Sequence, residues 1–188
     1  MSAGPVAVVG AGTMGHGIAY AAALAGFEVR LTDSRAEAIP PAVRKIGDLL
    51  QGGVKRGKLS EADLSAVAAR LRPERELSAA VREAEVVIEA VVEDLAVKQR
   101  LFAEVERAAP AQALLATNTS SLSVAAVAGA VRDAGRVVGL HFFNPVHAMK
   151  LVEIVRHPRA AAAAVERAVA FGRALGKEPI IEIGRAHV

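Results

Sequence analysis

His141 opens the segment "HFFNPVHAMKLVE" and Glu153 closes it. Two apolar runs, "RVVGLHFF" and "LVEIV", flank a turn-rich link too short for a crossover helix, which predicts an antiparallel turnaround. With the turn centred near Val146 and His147, residues equidistant from the centre face each other, so His141 meets Glu153. A carboxylate beside an imidazole fixes its tautomer and stabilises the imidazolium formed when it takes a proton. Imidazole is also the side chain whose ordinary charge change falls near neutral pH, so the pair suits removal of an alcohol proton. A histidine alone on a strand is more often structural; a carboxylate partner and a ligand loop upstream reverse that reading. Phe142 and Phe143 are expected to help exclude water. His16, His147, His157 and His187 have no such partner and are expected at surface or helix positions.

The upstream loop is "VVGAGTMGHGIA", with Gly10, Gly12 and Gly15 in G-x-G-x-x-G spacing between a β-rich run and a helical one. Gly10 permits the tight turn, Gly12 leaves room for a pyrophosphate against the backbone, and Gly15 lets helix pack closely on strand. The backbone of the loop, through Ala11, Thr13 and Met14, then presents free N–H groups and the positive end of the helix dipole to the phosphates. Asp33 follows at the end of the second strand, where it would accept hydrogen bonds from the ribose hydroxyls and repel a 2′-phosphate. That favours NAD over NADP, although Arg35 two residues on offsets part of the repulsion. A bland role for Asp33, capping the next helix, is compatible with ribose binding.

These residues need a scaffold, and the rest of the chain supplies one. "VAVVG", "EVRLTD", "EVVIEAV", "ALLATN", "RVVGLHFF", "LVEIV" and "EPIIEI" read as strands, with helical stretches at 13–26, 94–109, "SLSVAAVAGAV" and 160–175. The alternation predicts an α/β fold, a doubly wound and mostly parallel Rossmann-type sheet with right-handed crossovers. The last strands are expected as antiparallel additions. From Arg35 to Arg70 the chain reads as two helices in a hairpin, interrupted at Gly52, Gly53 and Gly57. A single domain is expected over residues 1–184, with that hairpin (about 35–70) as an insertion after the second strand.

Composition removes other classes. The 188 residues include no cysteine, so disulfides, thiolate chemistry and cysteine metal sites are absent, and no metal is expected. The net charge of +3 would suit an anionic ligand, but arginines alternate with glutamates without a dense basic block, as on an ordinary solvated surface. One tyrosine, five phenylalanines and no tryptophan offer no platform for stacked bases, which argues against nucleic acid. The start of the chain has no signal-like pattern, and no apolar run approaches the roughly 20 residues of a membrane span. A cytoplasmic protein without membrane contact is the expectation.

In order along the chain, "GAGTMGHGIA", "EAVVEDLAVK", "ATNTSSL" and "HFFNPVHAMKLVEIV" resemble the NAD-binding domain of the L-3-hydroxyacyl-CoA dehydrogenases. Related sugar-acid dehydrogenases share the glycine loop, but their histidine segment usually lacks the paired phenylalanines. The resemblance implies NAD-dependent oxidation of (S)-3-hydroxyacyl-CoA to 3-oxoacyl-CoA in fatty acid metabolism. It further implies His141 as base, Glu153 as its orienting partner, Ser120 on the reacting 3-oxygen and Asn144 lining the same pocket. Glu93 and Lys98 match positions that contact the nicotinamide half of the cofactor; a plainer reading is a helix N-terminal acid with a solvated lysine. Lys55, Arg56 and Lys58 on the hairpin become candidate contacts for coenzyme A phosphates, against the plainer reading of solvated charges on a turn. Members of the family continue into a helical domain that completes the acyl pocket and forms most of a dimer interface. None of that domain is in these 188 residues, so its partner role and activity in its absence are left as expectations. A catalytically silent NAD-binding module, and a dehydrogenase of a sugar acid or another 3-hydroxy acid, remain as alternatives.

Overall fold

A computed structural model of the chain describes residues 4–184. Eight strands form one sheet: β1 (Val6–Val9), β2 (Val29–Thr32), β3 (Leu71–Pro73), β4 (Val86–Glu89), β5 (Leu114–Thr117), β6 (Val137–Phe142), β7 (Leu151–Arg156) and β8 (Glu178–Ile183). Seven helices connect them: α1 (Thr13–Leu24), α2 (Ile39–Lys55), α3 (Glu61–Arg70), α4 (Leu77–Val81), α5 (Leu95–Ala108), α6 (Val124–Ala128) and α7 (Ala162–Ala174). The strand order is β3-β2-β1-β4-β5-β6-β7-β8. From β3 to β6 all neighbours are parallel, β6 and β7 are antiparallel, and β7 and β8 are parallel. The chain leaves β1 toward β2 on one side and returns to β4 on the other. That reversal opens a crevice at the carboxyl ends of the strands, where open α/β sheets hold ligands.

Period-two alternation sends successive side chains to opposite faces, and here both faces are covered, so the inner strands are apolar throughout. Val6, Val8, Leu31, Ile88, Leu114 and Leu140 pack with α1, α2 and α7 on one face. Ala7, Val9, Val87, Leu115, Val137 and Val155 pack with α4, α5 and α6 on the other. Each fully buried Val, Leu or Ile side chain contributes about 1.5–3 kcal/mol relative to exposure, so this double layer is the main stabilising element. On the second face the apolar series ends in polar groups. Glu89, Thr117 and Glu153 each lie two positions from a strand residue that faces α4–α6, His141 lies four positions on from Val137 on that face, and all four are buried.

Two expectations are corrected. Gly52 and Gly53 lie inside α2, and Gly57, at φ +68°, makes the turn to α3. Gly53 is there for contact: a Cβ on it would come within 2.6 Å of the Leu59 side chain. The last two strands are the antiparallel additions expected: the β6–β7 step reverses direction, and α7 gives β8 a full crossover, so β8 runs parallel to β7 and opposite to the strands from β3 to β6. His157 is not a surface position: it is 1% exposed, with Nε2 3.2 and 3.1 Å from the carbonyls of Ala134 and Val137. Desolvation lowers its pKa, against those carbonyl contacts, which favour the charged ring. His187 lies outside the described residues. No helix among the described residues is long and apolar enough to cross a membrane.

Candidate active site

The loop after β1 is shaped by close approach. Gly10 sits at φ +112°, and a Cβ there would lie 2.5 Å from the carbonyl oxygen of Ala90. A Cβ on Gly15 would lie 1.7 Å from the Gly10 carbonyl oxygen, so α1 starts directly against the end of β1. Gly12 differs, because a Cβ there would meet nothing within 4 Å. Gly12 is also the N-cap of α1 and makes no side-chain capping bond, and the first turn carries no acidic residue. The orphan N–H groups of that turn therefore face an open space at the positive end of the helix. Thr13 is exposed, Met14 half-buried and Ala11 buried, so the loop acts through its backbone.

Asp33 closes the loop from the side. Its Oδ2 accepts the Ala11 N–H at 2.7 Å and its Oδ1 accepts the Arg35 N–H at 2.9 Å. The helical capping role does not apply, since the short 3₁₀ turn that follows is capped at Arg35 without a side-chain bond. Beside it lies a cavity of about 590 Å³ lined by Gly12, Asp33, Arg35, Ala90, Val97 and Arg100, among others. A crevice of that size with an acid at its rim and a bare helix N-terminus suits the adenosine and phosphates of a dinucleotide. Arg100 and Arg75, which also line it, carried no sequence signal, because their neighbours read as an ordinary amphipathic helix and loop.

His141 and Glu153 are register partners across β6 and β7, and Nδ1 lies 2.8 Å from Oε2. Both are buried, at 8% and 3% exposure. A buried carboxylate accepts rather than donates, so it holds the proton on Nδ1 and leaves Nε2 as the basic nitrogen. Phe143 packs on the imidazole with ring centroids 4.7 Å apart, whereas Phe142 turns into the core on the opposite face. Of the pair, only Phe143 is in contact with the histidine, because adjacent strand residues point oppositely. Asn144 is exposed and begins the turn with a cis bond to Pro145. Lys177 secures that turn by donating to the carbonyls of Val146 at 2.5 Å and Met149 at 2.7 Å. Val146 in turn rests on α1, 3.0 Å from where a Cβ of Gly17 would stand.

The third group lies between these two. Glu93 Oε1 accepts the Thr119 hydroxyl and the N–H groups of Ser120 and Ser121, at 3.1 and 3.2 Å for the two amides. Burial opposes its ionisation, but the Thr119 hydroxyl and the Lys98 ammonium outweigh that and hold its pKa at about 2. Lys98 is not solvated; it is 1% exposed and reaches Glu89 at 2.6 Å and Glu93 at 3.2 Å. Asn118 accepts the Phe142 N–H at 2.9 Å, tying the end of β5 to the histidine strand. Glu89, Thr119 and Asn118 carry no sequence signal of their own. Glu89 sits in the buried strand run "EVVIEAV", and only the fold reveals its partners. Lys55 and Lys58 are exposed on the α2–α3 turn, while Arg56 lines a cavity with His16, Lys45 and His147. No cluster of metal-ligating side chains occurs among the described residues.

The model of the family described as "3-hydroxyacyl-CoA dehydrogenase, NAD binding domain" matches residues 5–184. The chain belongs to this family. Its cofactor is NAD, and the open cradle over Gly12 fits it. The chain is 45% identical over 175 residues to a 3-hydroxyadipyl-CoA dehydrogenase of Escherichia coli, covering 93% of this chain and 37% of that protein. It is 40% identical to a fatty acid oxidation complex subunit alpha of Ectopseudomonas oleovorans, covering 93% and 24% respectively. The crystal structure of 3-hydroxybutyryl-CoA dehydrogenase from Escherichia coli superposes with a TM-score of 0.93 at 42% identity, over 97% of this chain and 39% of that one. The chain thus spans about a quarter to two fifths of the length of these three relatives.

Proposed function

We propose that this domain supplies the cofactor site and the proton acceptor of an NAD-dependent dehydrogenase that converts (S)-3-hydroxyacyl-CoA to 3-oxoacyl-CoA. The observation that carries the reading is the buried His141–Glu153 pair at the carboxyl edge of the sheet, Nδ1 to Oε2 at 2.8 Å. Nε2 of His141 takes the proton of the 3-hydroxyl, and Glu153 offsets the positive charge that develops on the ring. Held by the glycine loop, NAD would supply the hydride acceptor for C3. Ser120 holds the 3-oxygen by a hydrogen bond, and Asn144 borders the same space. Glu93 faces the nicotinamide half, Asp33 takes the adenosine ribose, and the Gly10–Gly15 backbone takes the pyrophosphate. On the hairpin, Arg56 is the best placed of the three basic residues for a coenzyme A phosphate, because it lines a cavity with Lys45 and His147.

The names of the E. coli relatives, both 3-hydroxyacyl-CoA dehydrogenases, support the thioester substrate. The rest of the acyl pocket, and any dimer interface, belong to the helical domain expected outside these residues. The test is NADH oxidation by acetoacetyl-CoA in the product of the complete reading frame. Turnover that requires the coenzyme A group supports the reading. NADH binding without turnover would leave a module that only holds the cofactor, and turnover of free 3-oxo acids would move the substrate class.

A further inference from the structure

Beneath the candidate site lies a buried carboxylate that the proposed reaction does not use. Glu89 ends β4 at 1% exposure, directly opposite Thr117 in the β4–β5 register. Its Oε1 accepts the Val91 N–H at 2.8 Å and the Lys98 ammonium at 2.6 Å, and its Oε2 accepts the Thr117 hydroxyl at 2.6 Å. Taking a carboxylate and an ammonium out of water is costly, and a packed apolar pair of similar volume is often at least as stable. Packing alone therefore does not account for the choice of residues.

The connectivity does. Lys98 bridges from Glu89 to Glu93 Oε2 at 3.2 Å, and Glu93 Oε1 collects the Ser120 and Ser121 amides and the Thr119 hydroxyl. One unbroken line of charge-assisted bonds runs from the sheet interior to the loop that carries Ser120. Such bonds are short and directional, and each link has its remaining partners satisfied. We propose that Glu89 is a positioning residue: it fixes the Lys98 ammonium, Lys98 fixes Glu93, and Glu93 sets the backbone that presents the Ser120 hydroxyl. Lys98, sealed between two carboxylates, then serves the cofactor through Glu93 and not by touching it. The network stands independently of the reaction; only the use of the Ser120 hydroxyl rests on the dehydrogenase reading.

Glu89→Gln keeps size and an acceptor oxygen and removes the charge that holds Lys98. Amide hydrogen exchange on the folded domain is expected to speed up at Ser120 and Ser121 on the order of tenfold, with Ile88 and Leu115 in the adjoining strands unchanged. In the product of the complete reading frame, kcat is expected to fall by roughly 10–10² with KM for NADH nearly constant, the pattern of a misplaced group. Faster exchange confined to Val91, with Ser120 and Ser121 unchanged, would show a local staple and overturn the proposal. Normal kcat with a loosened loop would overturn it as well. Should Glu89→Gln fail to fold, the double variant Glu89→Met with Lys98→Met removes both charges together and is read in the same two ways. Absence of turnover in the unsubstituted enzyme would remove the dehydrogenase reading and leave the exchange result to decide the network.

Discussion

Nδ1 of His141 and Oε2 of Glu153 stand 2.8 Å apart because β6 and β7 place the two residues directly opposite each other. The contact belongs to the strand register, so a one-residue slip would send both side chains to the other face and destroy it. His141→Gln is expected to lower kcat by roughly 10²–10⁴, with NADH affinity little changed. Glu153→Gln is expected to lower kcat too, since the imidazolium loses its counter-charge. Steady-state kinetics and calorimetry with NADH check both, and near-normal kcat in His141→Gln would sink the assignment.

The loop glycines separate fold from ligand. Gly15→Ala drives a methyl into the Gly10 carbonyl and is expected to destabilise the domain by about 1–3 kcal/mol or more. Gly12→Ala adds a methyl to open space and is expected to leave thermal stability unchanged while weakening NADH binding at least tenfold, about 1.4 kcal/mol. Equal NADH affinity in Gly12→Ala and the unsubstituted protein would place the pyrophosphate elsewhere.

Asp33 holds the Ala11 amide and, in the proposed reading, also meets the ribose. Asp33→Ala is expected to weaken NAD binding and to narrow the gap to NADP, because the charge that repels a 2′-phosphate is gone. Side-by-side titrations with NADH and NADPH measure this. Equal affinities in the unsubstituted protein would refute the role.

Glu93 carries a pH dependence of definite sign. Its pKa falls from the ordinary 4.5 to about 2 in the fold, so its contribution is complete above about 4.5 and is lost as pH falls toward 2. The stability gap between the protein and Glu93→Gln, from urea midpoints at a series of pH values, is expected to be constant at neutral pH and to close over that window. A gap that persists unchanged to pH 3 would contradict it.

His157 is the second pH-sensitive group. Burial lowers its pKa from 6.5, so the folded protein resists protonating it and stability is full above that value. As pH falls below it, the unfolded chain binds the proton first and stability declines. Replacing His157 by Asn is expected to flatten this part of the pH–stability curve, whatever it does to the maximum.

Much of this arrangement was legible before any coordinates. The glycine loop, Asp33 and the His141–Glu153 pairing follow from local spacing, because strand alternation and a short turn leave few geometries. β3 and α4 were missed: Leu71–Pro73 is too short and exposed to show alternation, and Leu77–Val81 too short to show a helical period. The opposed direction of the last strands is legible, whereas the parallel pairing of β8 with β7 depends on how α7 packs, which spacing does not specify. The Glu89–Lys98 bond was hidden for a different reason. Glu89 belongs to a strand and Lys98 to a helix, and nothing in their sequence separation says that the helix lies over that strand end. Lys98 reads from the resemblance as a cofactor contact, with a solvated side chain as the plainer alternative, and tertiary packing buries it against Glu89.

The order of the strands also sets an order of events during synthesis. β1 gains its first neighbour at Val29, but its second, β4, begins at Val86. At about 5–20 residues per second, several seconds separate the emergence of those two neighbours from the ribosome. Throughout that interval a strand whose four residues are all buried in the finished fold has one side unpaired. A cofactor bound in the proposed crevice offers no protection, because Ala90 and Val97 on the wall of that cavity have yet to be made. The nascent chain must therefore pass through a stage in which its most apolar strand is open to a wrong partner, and crowded synthesis is where this domain is expected to misassemble first.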